Sequence, residues 1–294
     1  MTTVLQHLAE LGADYRDPIA VIDWSAADES RPWLPADVLS LAGLPAQAAM
    51  DQTTLNTFSR VEFARLCAAG LWLEGLLISR VMKDGCLTTL PAEARVMLQE
   101  VREEAGHSLM FVEMIDRAGL GGVPLLGDIR LLSWIAHRLH PDSAEFWAMV
   151  YIGESVTDTF ALAALRAEND TICPLAREVL QFHHKDEARH IAAARALLKT
   201  RIRTMSAPRR WLFRATLRFL LKRFLRATLY PTAASLRALG IPDPAGAARA
   251  AARSPERHAF AEDCAQSAMR FIERTVTAQH ARARPESRIG PGSG

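Results

Sequence analysis

Two short motifs in this chain set a glutamate and a histidine at the same spacing: Glu104 and His107 in EEAGH, and Glu187 and His190 in FHHKDEARHIAAA. Residues three apart on a helix share one face, one turn from each other. A carboxylate bridges or chelates a hard metal ion, and an imidazole completes the shell of a metal such as iron while leaving positions open. One such pair arises by chance in many helices. Two pairs in a chain with nine histidines point to a centre built from two matching halves. An acid precedes each pair, Glu103 and Asp186. Each either holds a metal-bound imidazole N–H from behind or is an ordinary charge on a helix surface.

Such a centre needs helices to carry it, and the chain reads as all-α. Residues 1–50, rich in Pro and Asp, read as an irregular wrap with short helices at most. A first long helix runs over about 51–83 and stops near Gly85. A second begins at Pro91, a residue suited to the first helical position, and ends at Gly119. A shorter helix covers about 128–140. A third long helix starts at Pro141 and fades at Asn169, and a fourth runs from Pro174 past Ala194. Two short connections and one long one give a ferritin-like four-helix bundle with a single crossover, over about 51–205. Prolines 208, 231, 242 and 255 then punctuate accessory helices over 206–282, and 283–294 reads as a disordered tail.

A two-metal carboxylate bundle also needs one glutamate from each of the other two helices. Glu104 lies about 20 Å into its helix, and the same distance back along an antiparallel first helix reaches Glu74. Gly70, Leu71, Leu77, Ile78 and Val81 flank Glu74, an apolar setting. Glu62, about 18 Å further along, is flanked by Ser59 and Arg65 and reads as a surface or rim acid. The same count from Glu187 reaches Glu154, beside Val150, Tyr151 and Thr157. Burying it is costly unless it binds metal or accepts a hydrogen bond. His183 falls within about 20° of His190 around the helix, either as a seventh ligand or as a core histidine. His184 lies about 60° from Glu187, supporting the ligands or bridging to another helix. Gly70, Gly106 and Gly153, each within a turn of a proposed ligand, leave room for O2 or substrate or permit close helix packing.

The pattern His183-x3-Glu187-x2-His190, with Glu104 and His107, resembles the p-aminobenzoate N-oxygenase family of di-iron oxygenases. The stretch DWSAADESRPWLPADVLSLAG, Asp23 to Gly43, is similar to that family's N-terminal wrap. The likeness spans about residues 20–230. It implies a ferritin-like fold and a ligand set of Glu74, Glu104, His107, Glu154, His183, Glu187 and His190. Glu103, Asp186 and His184 would stand behind the ligands. It further implies two iron ions, O2 as co-substrate, an external reductase as electron donor and a homodimer. The reaction it implies is oxidation of an amine nitrogen, an arylamine above all, to hydroxylamine, nitroso or nitro in specialised metabolism. The substrate would be a small amine, free, carboxylate-bearing or carrier-linked.

The same ligands would serve a C–H hydroxylase or desaturase. A radical-storing reductase subunit fits less well, because position 111, one turn after His107, is Phe rather than Tyr. Iron storage and a non-enzymatic helical scaffold are the remaining readings. Hydrophobic residues make up 49% of the chain and charged residues 23%, ordinary values for a soluble protein. The net charge of +2 is small, yet its distribution is not even. Between Glu187 and Asp243 there is no acid and there are thirteen Lys and Arg. Arg210, Arg214, Arg218, Lys222 and Arg226 form a basic stripe beside Phe213, Leu217 and Phe224. This helix packs on the bundle or on a dimer partner, and an arginine from it that reaches a substrate carboxylate is a further reading. A membrane-surface role is another reading of this helix, set behind packing on the protein itself, and nucleic-acid binding, for which no recognition motif is present, is not expected. Cys67, Cys86, Cys173 and Cys264 are widely spaced, which suits free thiols in the cytoplasm. No flavin or nicotinamide motif is present.

Overall fold

In the computed structural model, residues 7, 9–10, 14–85, 91–120, 123 and 125–282 are described. The long helices are α1 (Gln52–Arg80), α2 (Pro91–Arg117), α4 (Ala144–Leu165), α5 (Pro174–Arg203), α6 (Ala207–Leu229) and α9 (Pro255–Arg282). Shorter ones are α3 (Arg130–Ala136), α7 (Ala233–Ala238) and α8 (Pro244–Ala251). No strand occurs among the described residues. The expected helices fall within a few residues of their expected ends. The expected tail, 283–294, and Cys86 lie outside the described residues.

Local chemistry sets the helix starts. The Asp51 carboxylate accepts from the Thr54 amide at 2.8 Å, and the Ser143 hydroxyl accepts from the Phe146 amide at 3.1 Å. Each satisfies one of the amides that a helix start leaves without a partner. Pro174 opens α5, where a missing N–H costs nothing. Gly119, with φ of +66°, ends the turn after α2, a conformation open to glycine.

α1 pairs with α2, and α4 with α5, and the two hairpins face each other as a bundle. α4 is the most enclosed helix, with buried residues around its whole circumference. It is covered by α5, by α1 and by α9, a long helix that, like α6, lies against the bundle. One continuous core runs from Trp33, Leu34 and Leu39 of the wrap, through all four bundle helices, to Ala265, Ala268 and Ile272 of α9.

The expectation for Glu62 is overturned. Glu62 is buried and accepts from the Ser40 amide at 3.0 Å and from buried Arg65 at 2.8 Å. The wrap folds over this end of α1, so an acid that would have faced water is paired instead. The three glycines near the site are filled by neighbours. A side chain at Gly70 would meet the Phe111 ring, one at Gly106 would meet Tyr15, and one at Gly153 would meet Leu73. Close packing is therefore the role of Gly106 and Gly153, while Gly70 both packs on Phe111 and lines a small cavity beside His183.

Candidate metal centre

Ferritin-like placement brings the two Glu-His pairs face to face. The ligand atoms available on Glu104, His107, Glu187 and His190 all lie within 4.8 Å of one another, and so do those on Glu74, His107 and His183. All six are buried. His107 Nδ1 lies 3.3 Å from Glu104 Oε2 and 3.8 Å from Glu187 Oε1. His190 Nδ1 lies 3.0 Å from Glu104 Oε1 and 3.7 Å from Glu187 Oε1. His183 Nε2 approaches Glu187 Oε1 at 3.0 Å. Glu74 accepts from the Ser108 hydroxyl at 2.5 Å, which fixes one of its oxygens. Glu154 is buried beside Glu187. Six of the seven residues singled out from the sequence thus form two groups that share His107, and the seventh, Glu154, is buried beside Glu187.

The two histidines of the motifs point inward with Nδ1 and outward with Nε2, and the outward atoms are held crosswise. His107 of α2 meets Asp186 of α5 at 3.4 Å, and His190 of α5 meets Glu103 of α2 at 3.1 Å. Each acid thus serves the histidine of the opposite helix, not that of its own motif. A carboxylate behind an imidazole fixes its tautomer and orientation. His184 lies apart from the cluster. Its Nδ1 meets Asp158 of α4 at 2.5 Å, tying α5 to α4.

Sequence reasoning missed the residues behind this ring. Arg189 donates to Glu100 at 2.7 Å and pairs with Glu103, so the acid that holds His190 is itself held. Glu100 is buried. The signal was the series 100, 103, 104, 107, which repeats along one helical face. Ser108 gave no such signal, because a lone serine beside a histidine has no distinctive spacing. Phe111 does face the site, its ring 5.1 Å from that of His183. Tyr151 instead packs on Phe271 of α9 at 5.2 Å.

The electrostatics of the cluster ask for cations. Burial pushes Glu74 well above the usual carboxylate range, and the neighbouring Glu104 adds to it. Burial does the same to Glu154, with Glu187 adding. At Glu104 burial acts upward too, but His190 and His107 outweigh it and bring it to about 2. Burial alone would lower His107, yet Asp186 and Glu104 raise it to about 10. Against the four glutamates Glu74, Glu104, Glu154 and Glu187 the inner ring offers imidazoles, and burial with the neighbouring carboxylates disfavours the charged form of Glu74 and Glu154. Both oxygens of Glu187 and Nδ1 of His190 are buried without a hydrogen-bond partner, since their close neighbours are not aligned for one. Buried polar atoms without partners are rare in native proteins. The donor set therefore fits two divalent metal ions of the iron type.

An all-α bundle with paired carboxylate-histidine motifs on facing helices defines the ferritin-like carboxylate metalloproteins. More narrowly, the chain belongs to the p-aminobenzoate N-oxygenase AurF family, whose profile matches residues 2–275. Among its relatives are an uncharacterised protein of Mycobacterium bovis and two uncharacterised proteins of Mycobacterium tuberculosis strains. Each is 27% identical over 207 residues, which is 66% of this chain and 59% of the relative. The chain thus spans about three-fifths of the length of these relatives.

Proposed function

We propose that the protein is a di-iron oxygenase that oxidises an amine nitrogen, an arylamine above all. The observation that carries this reading is the buried grouping of Glu74, Glu104, His107, His183, Glu187 and His190, with Glu154 beside Glu187. In this reading those seven side chains hold two iron ions. The iron, when bound and reduced by an external donor, supplies O2 activation. Four carboxylates offset the charge of two ferrous ions, and the crosswise acids Glu103 and Asp186 keep each imidazole turned toward the metal. The membership of the chain in the N-oxygenase family supports nitrogen as the atom oxidised.

A small cavity of about 20 Å³ adjoins His183, lined by Phe63, Leu66, Cys67, Gly70, Phe111, Thr157, Ala161, Val179 and Leu180. Its size suits one small molecule such as O2. An arylamine enters only as lining side chains swing aside. No Lys or Arg lines it among the described residues, so the arginine clamp considered from the sequence has no counterpart there. That apolar lining favours a second reading, hydroxylation or desaturation of a hydrocarbon group by the same centre.

The test uses the chain loaded with ferrous iron, a chemical reductant, labelled O2 and p-aminobenzoate as probe. The N-oxygenase reading expects hydroxylamino, nitroso or nitro product carrying the label on nitrogen. Label found only on ring or alkyl carbon would overturn it in favour of the second reading. His183→Ala should lower the iron content, and full iron content in that variant would remove His183 from the ligand set.

A further inference from the structure

We propose that the face formed by α3 and α6 docks the protein on an anionic lipid surface. α6 buries one apolar face, with Phe213, Leu217 and Phe224, against the bundle. That much agrees with a helix packed on its own protein. A second apolar stripe stays outside, with Trp211 72%, Leu212 58% and Phe219 54% exposed. On the neighbouring α3, Trp134 is 57% exposed and Leu131 is also exposed. Large exposed aromatic groups clustered on one side mark a contact surface.

The charge of the same helix selects the partner. α6 carries seven Lys and Arg and no acid. Two of them have partners on other helices: Arg209 bonds Glu145 in a two-pronged pair, and Arg218 bonds Glu273 at 2.6 Å. Lys222 and Arg226 are exposed on the side of α6 next to the aromatic stripe. Tryptophan, phenylalanine and leucine set beside Lys and Arg are the composition of a helix lying in a membrane interface. A second copy docked here face to face would set these cations against themselves, which is unfavourable. An anionic bilayer meets both features at once.

An apolar cavity of about 90 Å³ lies beneath this face, between α3, the buried side of α6 and the bundle. Thr216 and Ile135 line it, and Leu212 and Phe219 stand one turn to either side of Thr216. The proposal does not depend on which atom the metal centre oxidises.

The test is co-sedimentation of the full chain with vesicles of phosphatidylcholine alone and of phosphatidylcholine with phosphatidylglycerol. The chain should pellet with the anionic vesicles and not with the neutral ones. Trp211→Ser with Phe219→Ser should weaken that partitioning about a hundredfold, because each aromatic side chain withdrawn from the bilayer forfeits about a decade. Trp134→Ser with Leu212→Ser gives an independent variant of the same face and should act alike. Recovery of the parent chain in the supernatant with both vesicles would overturn the proposal. So would variants that pellet like the parent, since the attraction would then be charge alone. A parent dimer in sedimentation velocity that either variant dissociates would also overturn it, by assigning the face to a second copy.

Discussion

At the scale of single residues, the centre depends on acids that face histidines across the bundle. Asp186 lies 3.4 Å from His107 Nε2 and Glu103 lies 3.1 Å from His190 Nε2. Removing the charge behind a metal-bound imidazole costs about ten- to a hundredfold in metal affinity. Glu103→Gln should therefore weaken iron binding by about that factor, measured by competition with a chelator. A fall of less than twofold would leave Glu103 as a buried acid whose role is its pair with Arg189. The thiols give a second residue-scale prediction. Burial pushes Cys67 well above the ordinary thiol range and Cys264 up to about 12, and the thiolate is the reactive form. Cys67, Cys173 and Cys264 are all buried. Peptide mass spectrometry after alkylation at pH 8 should find all three unlabelled in the folded chain and labelled in denaturant. The clustering of the candidate ligands was legible because their spacing repeats along each helix. The crosswise pairing was not, since sequence order gives no sign of which histidine an acid reaches.

At the scale of elements, prolines, caps and glycines placed the helix ends closely, because those signals are local. Glu62 shows where local reading stops. Its flanks suggested a rim, but a wrap distant in sequence covers it and Ser40 binds it. Gly153 makes a related point. Its closeness to Glu154 left open space and close packing as equal readings, and the structure gives the second, with Leu73 accommodated between α1 and α4. Gly153→Val should force that contact apart and destabilise the fold by about 1–3 kcal/mol, as overpacking does. Denaturant titration followed by circular dichroism measures this. Unchanged stability would mean that Leu73 has room to turn away. α6 was legible as basic and amphipathic, but only the packed structure separates the stripe it buries from the one it leaves outside.

At the scale of the whole molecule, one core joins wrap, bundle and C-terminal helices, so metal binding at its centre should stabilise the entire fold. A ligand held only by the native state adds about 2.7 kcal/mol when its free concentration is a hundredfold above its dissociation constant. Thermal melting with ferrous iron under anaerobic conditions should occur at a higher temperature than with a chelator, and identical curves would argue against a metal-linked fold. The most direct measurement is elemental analysis of the reconstituted chain beside its Glu104→Ala and His190→Ala variants. The account predicts about two iron ions per chain in the parent, following from the paired carboxylate-histidine donor set, and a clear loss in both variants. A parent chain that takes up no metal, or variants that hold as much as the parent, would contradict it.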